Sequence, residues 1–326
     1  MKACLRLARV LAAMTTALRA CGVKHGDRVL TNAFTLAPVP GAIAAVGGVP
    51  VFVGVTEQLT IDLDDLAAKA DQADVLMLSH MRGHLVDMDA LMALCNAHNI
   101  KVVEDCAHTM GATWKGRLSG TDGVIGCYST QTYKHLNSGE GGLLITDDED
   151  LAARATMLSG SYMLYERHLA APAPEVFERV KYDTPNVSGR MDNLRAAILR
   201  PQLRDLNAQC AAWNARYLCV EEGLRGASGL QIVERPEQEN YVGSSIQFLL
   251  LDWEPTKVDA VLKRCAARGV ELKWFGGAEP AGFTSRYDSW RYIKDMPQLP
   301  KTEQILSKLL DMRIPLTFSE EDCQLL

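Results

Sequence analysis

The sequence predicts an α/β protein, with a large lobe built on a mainly parallel mixed sheet and a smaller C-terminal α/β lobe. Three observations carry that expectation. Short apolar runs alternate with helix-period segments through the first 150 residues, the signature of β-α-β units. At 326 residues the chain passes the size at which a single hydrophobic core stops growing, so two lobes are expected. With 48% hydrophobic and 23% charged residues its usage is that of a globular protein, which excludes a disordered, collagenous or low-complexity chain.

Leu5, Leu7, Val10, Leu11, Met14 and Leu18 recur at helical spacing and lead to Gly22 as a C-cap, so an amphipathic first helix is expected. The same stretch also fits a secretory leader, since Lys2, Arg6 and Arg9 precede the apolar residues 10–14 and small residues follow at 17–20. The unbroken run into a strand favours the helix. Strands are expected at 28–30, 49–55, 75–79, 100–104, 124–128 and 142–146. Among the helices between them, 87–98 is the clearest: Asp87 is placed to accept the first-turn N–H groups, and Met88, Leu91, Met92 and Cys95 form one apolar stripe.

Residues 160–186, rich in Ala, Pro and Tyr, read as a long loop. A helical stretch follows at 191–220, and Pro201 should kink or divide it because proline removes a ladder hydrogen bond. The small lobe is expected to contain strand 247–251, helix 258–268, strand 270–274 and helix 303–312, with Val258, Val261, Leu262 and Cys265 facing inward from the first helix. No linker rich in Gly or Ser separates the lobes, taken as 1–200 and 201–326, so they should pack together.

The 34 basic and 40 acidic residues give a net charge of -6 with no basic run, which argues against a nucleic-acid partner. No stretch of about 18 apolar residues exists to cross a membrane. The nine cysteines are scattered and never form a C-x-x-C pair, a pattern of reduced thiols in a cytoplasmic protein with neither a disulfide framework nor a metal site.

The chemistry concentrates between Val102 and Gly142. Glu104 and Asp105 end an apolar strand, which places two carboxylates in the crevice where open α/β sheets bind ligands; His108 follows three residues later. Ser129 ends the next strand, and Lys134 lies five residues on, ahead of the turn Asn137-Ser138-Gly139-Glu140-Gly141-Gly142. A lone loop lysine is usually just solvated. One framed by strand-end Asp, His and Ser suits nucleophilic amine chemistry, which requires a neutral amine and gives Schiff bases. Pyridoxal phosphate uses such a lysine together with a carboxylate on its pyridine nitrogen, roles that Lys134 and Asp105 fit. Asp105 equally fits a helix N-cap beyond the strand.

The segment Val103-Glu104-Asp105-Cys106-Ala107-His108-Thr109-Met110-Gly111-Ala112, then Cys127-Tyr128-Ser129, Lys134 and Gly139-Glu140-Gly141-Gly142, resembles the DegT/DnrJ/EryC1/StrS family of sugar aminotransferases. The likeness extends upstream through Gly26-Asp27-Arg28-Val29, Phe34-Thr35 and Val86-Asp87-Met88-Asp89. Downstream it continues through Arg190-Met191, Ala196-Ala197, Gln202-Leu203 and Leu299-Pro300-Lys301-Thr302. The resemblance implies a fold type I aminotransferase with pyridoxal phosphate. Lys134 would form the Schiff base with the cofactor and shuttle the proton, Asp105 would keep the pyridine nitrogen protonated, His108 would lie beside the ring and Ser129 would bind the phosphate. It further implies a homodimer that takes amino groups from glutamate or glutamine and delivers them to keto-sugars, usually nucleotide-linked. The presence of Lys134 favours amino transfer over the dehydration run by relatives with His at that position, and the neighbouring His135 reads as a surface or interface group.

The chain departs from the family at several points. Val10-Leu11 stand where the family places a phosphate-binding Gly-Thr turn at a helix start. Leu36 stands where an aromatic residue covers the cofactor ring, leaving Leu36 or a swung-in Phe34 for that task, and Ser188, with Asn186 nearby, replaces the asparagine given to the partner subunit's phosphate. The chain also looks short at both ends against the family. These departures leave two alternatives beside the aminotransferase: a non-catalytic relative that binds a sugar nucleotide or a partner protein, and a dehydratase. Trp274-Phe275-Gly276-Gly277, the Tyr162 and Tyr165 loop and Trp290-Arg291-Tyr292 suit a sugar pocket, or else anchor the small lobe.

Overall fold

A computed structural model describes residues 3–161, 163–169, 171–251, 253–280 and 286–326; Lys2 and Tyr162 lie outside them. Its first nine strands are β1 (Ala3–Leu7), β2 (Arg28–Asn32), β3 (Val49–Val53), β4 (Val75–Ser79), β5 (Lys101–Asp105), β6 (Thr113–Trp114), β7 (Arg117–Leu118), β8 (Ile125–Ser129) and β9 (Gly142–Thr146). Seven of these form the large sheet in the order β1-β9-β8-β5-β4-β2-β3. Only β9 runs against the others, pairing antiparallel with both β8 and β1.

Helices cover both faces, as a parallel sheet requires. These are α1 (Val10–Ala20), α2 (Pro38–Ala45), α3 (Leu63–Lys69), α4 (Met88–Ala97), α5 (Glu149–Leu158) and α6 (Pro174–Val180). On one face Met14, Ala17 and Leu18 of α1 and Leu151, Ala155 and Leu158 of α5 pack over Met77, Val103, Ile125 and Leu144. On the other, Leu66 of α3 and Leu91 and Cys95 of α4 pack over Leu30, Leu76, Leu78 and Val102. Helix α4 begins as expected, with the Asp87 carboxylate accepting from the N–H groups of Asp89 and Ala90 at 3.0 Å each.

The expected first helix is corrected: residues 3–7 are strand β1, and the helix starts at Val10. Ala3, Leu5 and Leu7 are buried while Cys4 and Arg6 face out, so the apolar residues follow the two-residue strand period. Too few residues lie ahead of Val10 for spacing alone to separate the two periods. The expected loop at 160–186 contains α6, whose Val176, Phe177 and Val180 pack against Ala153 and Met157 of α5.

Two long helices follow, α7 (Asn193–Arg204) and α8 (Leu206–Arg225). Pro201 lies inside α7, and the division falls at Asp205, four residues later than the proline itself. The remaining strands are β10 (Leu230–Ile232), β11 (Glu239–Asn240), β12 (Ser245–Leu250), β13 (Leu272–Trp274) and β14 (Leu309–Arg313), with helices α9 (Pro255–Ala266), α10 (Pro300–Ser307) and α11 (Glu320–Leu325). A second, four-stranded antiparallel sheet has the order β10-β12-β14-β13. The expected helix at 303–312 is therefore corrected, since it ends at Ser307 and Leu309–Arg313 form an interior strand of this sheet. Leu309, Leu310 and Met312 are all buried there, and a short continuous apolar run does not by itself distinguish strand from helix. Among the described residues no helix is long and apolar enough to cross a membrane.

Candidate active site

Parallel pairing aligns the carboxyl ends of β4 and β5, so Ser79 sits directly beside Asp105. The Asp105 carboxylate is buried and held at both oxygens. Ser79 Oγ donates to Oδ2 at 3.1 Å and the Ala107 N–H to Oδ1 at 3.2 Å. Thr35 Oγ1 donates to Ser79 Oγ at 2.8 Å, and the Asn32 side chain clamps the Ser79 backbone from both sides at 2.9 and 3.0 Å. Burial pushes the Asp105 carboxyl above its ordinary value, against the opposing pull of Lys134, the Ala107 N–H and Ser79.

Glu104 does not join Asp105 in the crevice, which corrects the expectation of two carboxylates there. Successive strand side chains point to opposite faces, and Glu104 is buried on the other one. It meets His80 Nε2 at 3.0 Å and accepts from the N–H groups of Gly120, Asp122 and Gly123 at 2.8, 3.0 and 2.7 Å. Burial alone would raise its pKa, but His80 and the Gly123 and Gly120 N–H groups hold it low, and Glu104 stitches the chain after β7 to β5.

The segment carrying Lys134 turns back on itself. The Thr130 N–H donates to the Gly141 carbonyl at 2.9 Å and the Thr132 N–H to that of Gly139 at 3.0 Å. Lys134 Nζ emerges 2.7 Å from His108 Nε2. Desolvation pushes the Lys134 amine down to about 7; Asp105 works against this, and Arg82 and Arg313 reinforce it. Burial, followed by the charges of Lys134 and Arg82, pushes His108 well below the ordinary imidazole value, so a neutral ring flanks the amine.

Ser129 is buried at the end of β8, where its Oγ accepts from the Gln131 N–H at 3.3 Å. It pairs in register with Gly142, which touches the start of α1. Arg9, the N-cap of that helix, is extended and makes no side-chain cap, and Val10 and Leu11 bring no hydroxyl. Ser129 and the start of α1 are thus both neighbours of Gly142 at one end of the sheet. A Cβ on Gly142 would come within 2.6 Å of the Arg9 carbonyl oxygen. Gly142→Ala is therefore expected to displace the helix start and to destabilise the fold by about 1–3 kcal/mol, read as a lower melting temperature.

Ser188 stands apart within one chain. Arg190, two residues on, bridges to Leu7 at the outer edge of the sheet, so β1 and β9 lie between this segment and Ser129. Ser188 has a left-handed φ of 56° and closely faces Gly160. The surface or interface position expected for His135 is corrected: the ring is buried within the chain, with Nε2 2.9 Å from Ser244 Oγ and the Trp213 ring 4.9 Å away. Burial pushes its pKa down to about 4.

Phe34 is fully buried, edge-on to Phe275 at 5.3 Å, and is committed to core packing. Leu36 packs at the margin of the same cluster. Trp290 is buried against Phe52 at 5.8 Å, Trp274 Nε1 donates to the Ser307 carbonyl at 2.8 Å, and Tyr165 lies on Phe177 at 4.5 Å. These aromatic side chains anchor the fold.

A cavity of about 830 Å³ opens over Lys134, and its lining includes Arg82, Trp213, Ser244, Lys273, Asp311 and Arg313. Sequence reasoning missed these four charged residues. Arg82, three residues past the end of β4, was open to discovery as a strand-end residue. Arg313 had no such signal, because the residues leading up to it, 303–312, read as helix.

The match to known proteins covers the chain. It is similar to the L-glutamine:2-deoxy-scyllo-inosose aminotransferase of Streptomyces lividus, with 34% identity over 232 residues, 69% of this chain and 53% of that protein. Matches to the first three curated relatives span 61%, 53% and 52% of their lengths, so the likeness covers between half and three-fifths of each. Among solved structures, an aminotransferase from Psychrobacter cryohalolentis superposes with a TM-score of 0.85 at 23% identity, over 98% of this chain and 84% of that one. S. venezuelae DesV, solved with a ketimine intermediate, gives 0.82 at 25% identity, over 98% and 81%. The fold is that of the type I aminotransferases. The DegT/DnrJ/EryC1/StrS aminotransferase profile matches residues 1–325, and the chain belongs to that family.

Proposed function

We propose that this chain is a pyridoxal phosphate-dependent aminotransferase that moves an amino group from glutamine or glutamate to the ketone of a keto-sugar or keto-cyclitol. The observation that carries the reading is the convergence of Asp105, His108 and Lys134 at the strand ends, with the Lys134 amine pushed down to about 7. The site is taken to lie between lobes 1–200 and 201–326. Pyridoxal phosphate is the cofactor of the family, and the donor set suits it. Asp105 is a buried carboxylate matched to a protonated ring nitrogen, while Ser129 and the uncapped first turn of α1 suit a phosphate. Phe34 being locked in the core, Leu36 is left to cover the ring face.

When bound, the cofactor supplies an aldehyde that takes the amino group in transit and a ring that stores the electron pair released with the substrate proton. Lys134 would hold the aldehyde end and, once displaced by the donor amine, take and return the proton at the reacting carbon. His108, neutral and 2.7 Å away, orients that amine without adding a competing charge.

The names of the curated relatives favour glutamine and free inososes as the first substrates to try, ahead of the nucleotide-linked keto-sugars that the family resemblance implies. Borohydride treatment of the cofactor-loaded protein should fix pyridoxyl on the Lys134 peptide, and glutamine with 2-deoxy-scyllo-inosose should yield an amine by mass spectrometry. Failure of both would end the reading. A nucleotide-linked keto-sugar tested in parallel separates the two acceptor classes.

A lysine with a lowered pKa is protonated and inert below that value and neutral above it. In cofactor-free protein, labelling of Lys134 by a small aldehyde should rise about tenfold from about pH 6 to pH 8 and then level off. A rate still climbing near pH 9 would contradict the lowered value. A homodimer is part of the reading, supported by the exposed Leu194 and Ile198, one turn apart on α7, and by exposed Tyr182 and Val187. So is a cytoplasmic location, supported by nine free cysteines.

A further inference from the structure

Three cations from three parts of the chain line the cavity that contains Lys134: Arg82 beyond β4, Lys273 in β13 and Arg313 at the end of β14. One carboxylate, that of Asp311, acts on them all. Its Oδ2 lies 2.6 Å from Arg82 Nη2, its charge reaches Lys273 and Arg313, and its Oδ1 accepts from Gln247 Nε2 at 2.8 Å. Gln247 Oε1 in turn meets His84 Nε2 at 2.8 Å, so the carboxylate is fixed by a buried relay. Glu271, the other acidic side chain in the lining, is exposed at its margin.

The cations retain unused capacity. Arg82 Nε is buried without a hydrogen-bond partner. Arg313 donates one bond from Nη2, at 3.0 Å to the Tyr133 carbonyl, and its guanidinium lies 4.2 Å from the centre of the Tyr133 ring. Lys273 Nζ stands 4.9 Å from the centre of the Phe275 ring, and among the described residues no carboxylate pairs with it. Half-buried positive charge in excess of its counter-charge is costly unless an anion completes it. A planar guanidinium fork is matched to a carboxylate.

We propose that Arg82, Lys273 and Arg313 form the subsite that binds a carboxylate of the amino donor. The inference rests on the amino-transfer reading, in which the donor carries a carboxylate one bond from the reacting carbon whereas a free keto-cyclitol is uncharged. Arg82 and Arg313 both act electrostatically on the Lys134 amine, so an anion held by them lies within reach of the chemistry.

The test uses the cofactor-loaded protein with Arg313→Gln and, separately, Lys273→Gln, both of which leave the buried Arg82–Asp311 pair intact. Glutarate, a dicarboxylate with no amino group, is titrated by calorimetry, and KM is measured for L-glutamine and for the keto-acceptor. Each variant should weaken glutarate binding and raise the glutamine KM about tenfold or more, as for a lost hydrogen bond between charged groups, with the acceptor KM within about twofold. Glutarate affinity equal in wild type and both variants would overturn the proposal. So would a rise confined to the acceptor KM, which would assign the cluster to an anionic acceptor. If the wild type transfers no amine but binds glutarate in a way that depends on Arg313, the subsite stands and the amino-transfer reading fails. Transfer with cation-independent glutarate binding keeps the amino-transfer reading and removes the subsite.

Discussion

Under the proposed function, Lys134→Ala is expected to lower amino transfer by about 10⁴-fold or more, because that reading gives Lys134 both the task of holding the cofactor and that of moving the substrate proton. Nothing beside it is placed to take over. His108, 2.7 Å from Nζ, is held neutral by burial, but its ring cannot supply a primary amine. The fold should survive the change, since backbone hydrogen bonds from Thr130 to Gly141 and from Thr132 to Gly139 shape this segment without the lysine side chain. An unchanged melting temperature, together with the loss of borohydride-fixed pyridoxyl and of turnover, is the expected set of results. Activity within about tenfold of wild type would remove Lys134 from the mechanism.

Asp105→Asn is expected to reduce turnover by about 10²–10³-fold, the scale on which a preorganised charge near the reacting centre acts. Asparagine keeps the shape, and its amide oxygen can accept from either Ser79 Oγ or the Ala107 N–H, so packing at the ends of β4 and β5 is retained. What disappears is the negative charge. In the cofactor-loaded protein the carboxylate proposed to pair with the ring nitrogen would be gone, and cofactor should be lost more readily on dialysis. In the cofactor-free protein the same change has a signed effect. Asp105 supports the charged form of Lys134 against desolvation, so its removal should move the midpoint of aldehyde labelling below about 7. An unmoved midpoint with full cofactor retention would show that Asp105 acts only as a structural acceptor.

Much of this architecture was legible in sequence where a short-range pattern and the final environment agree. Asp87 caps α4 in the structure as its position ahead of an apolar stripe implies. The apolar runs at 75–79 and 142–146 are β4 and β9 to the residue. The errors fall where period and context part. Residues 3–7 carry too few side chains to separate helix from strand, and pairing with β9 decides the matter. Residues 309–312 read as the end of a helix until strands on either side supply backbone partners. His135 follows a lysine in a polar segment and was expected outside, but a wall made by Trp213 and Ser244, from distant parts of the chain, encloses it.

The sequence by itself determined the kind of protein and the residues with reactive potential: an α/β chain whose Asp105, His108, Ser129 and Lys134 occur at spacings set by consecutive strand ends. Such spacings survive in one dimension because each depends on a single strand-to-loop junction. Only the tertiary structure decided which carboxylate faces the amine, since strand alternation turns Glu104 away and keeps Asp105 in. It alone also gathered Arg82, Lys273, Asp311 and Arg313 around one cavity, although Arg82 and Arg313 are more than 200 residues apart. Charges act through space, and the four-stranded sheet brings Arg313 to within 3.0 Å of the Tyr133 carbonyl, in a loop that the sequence places far away.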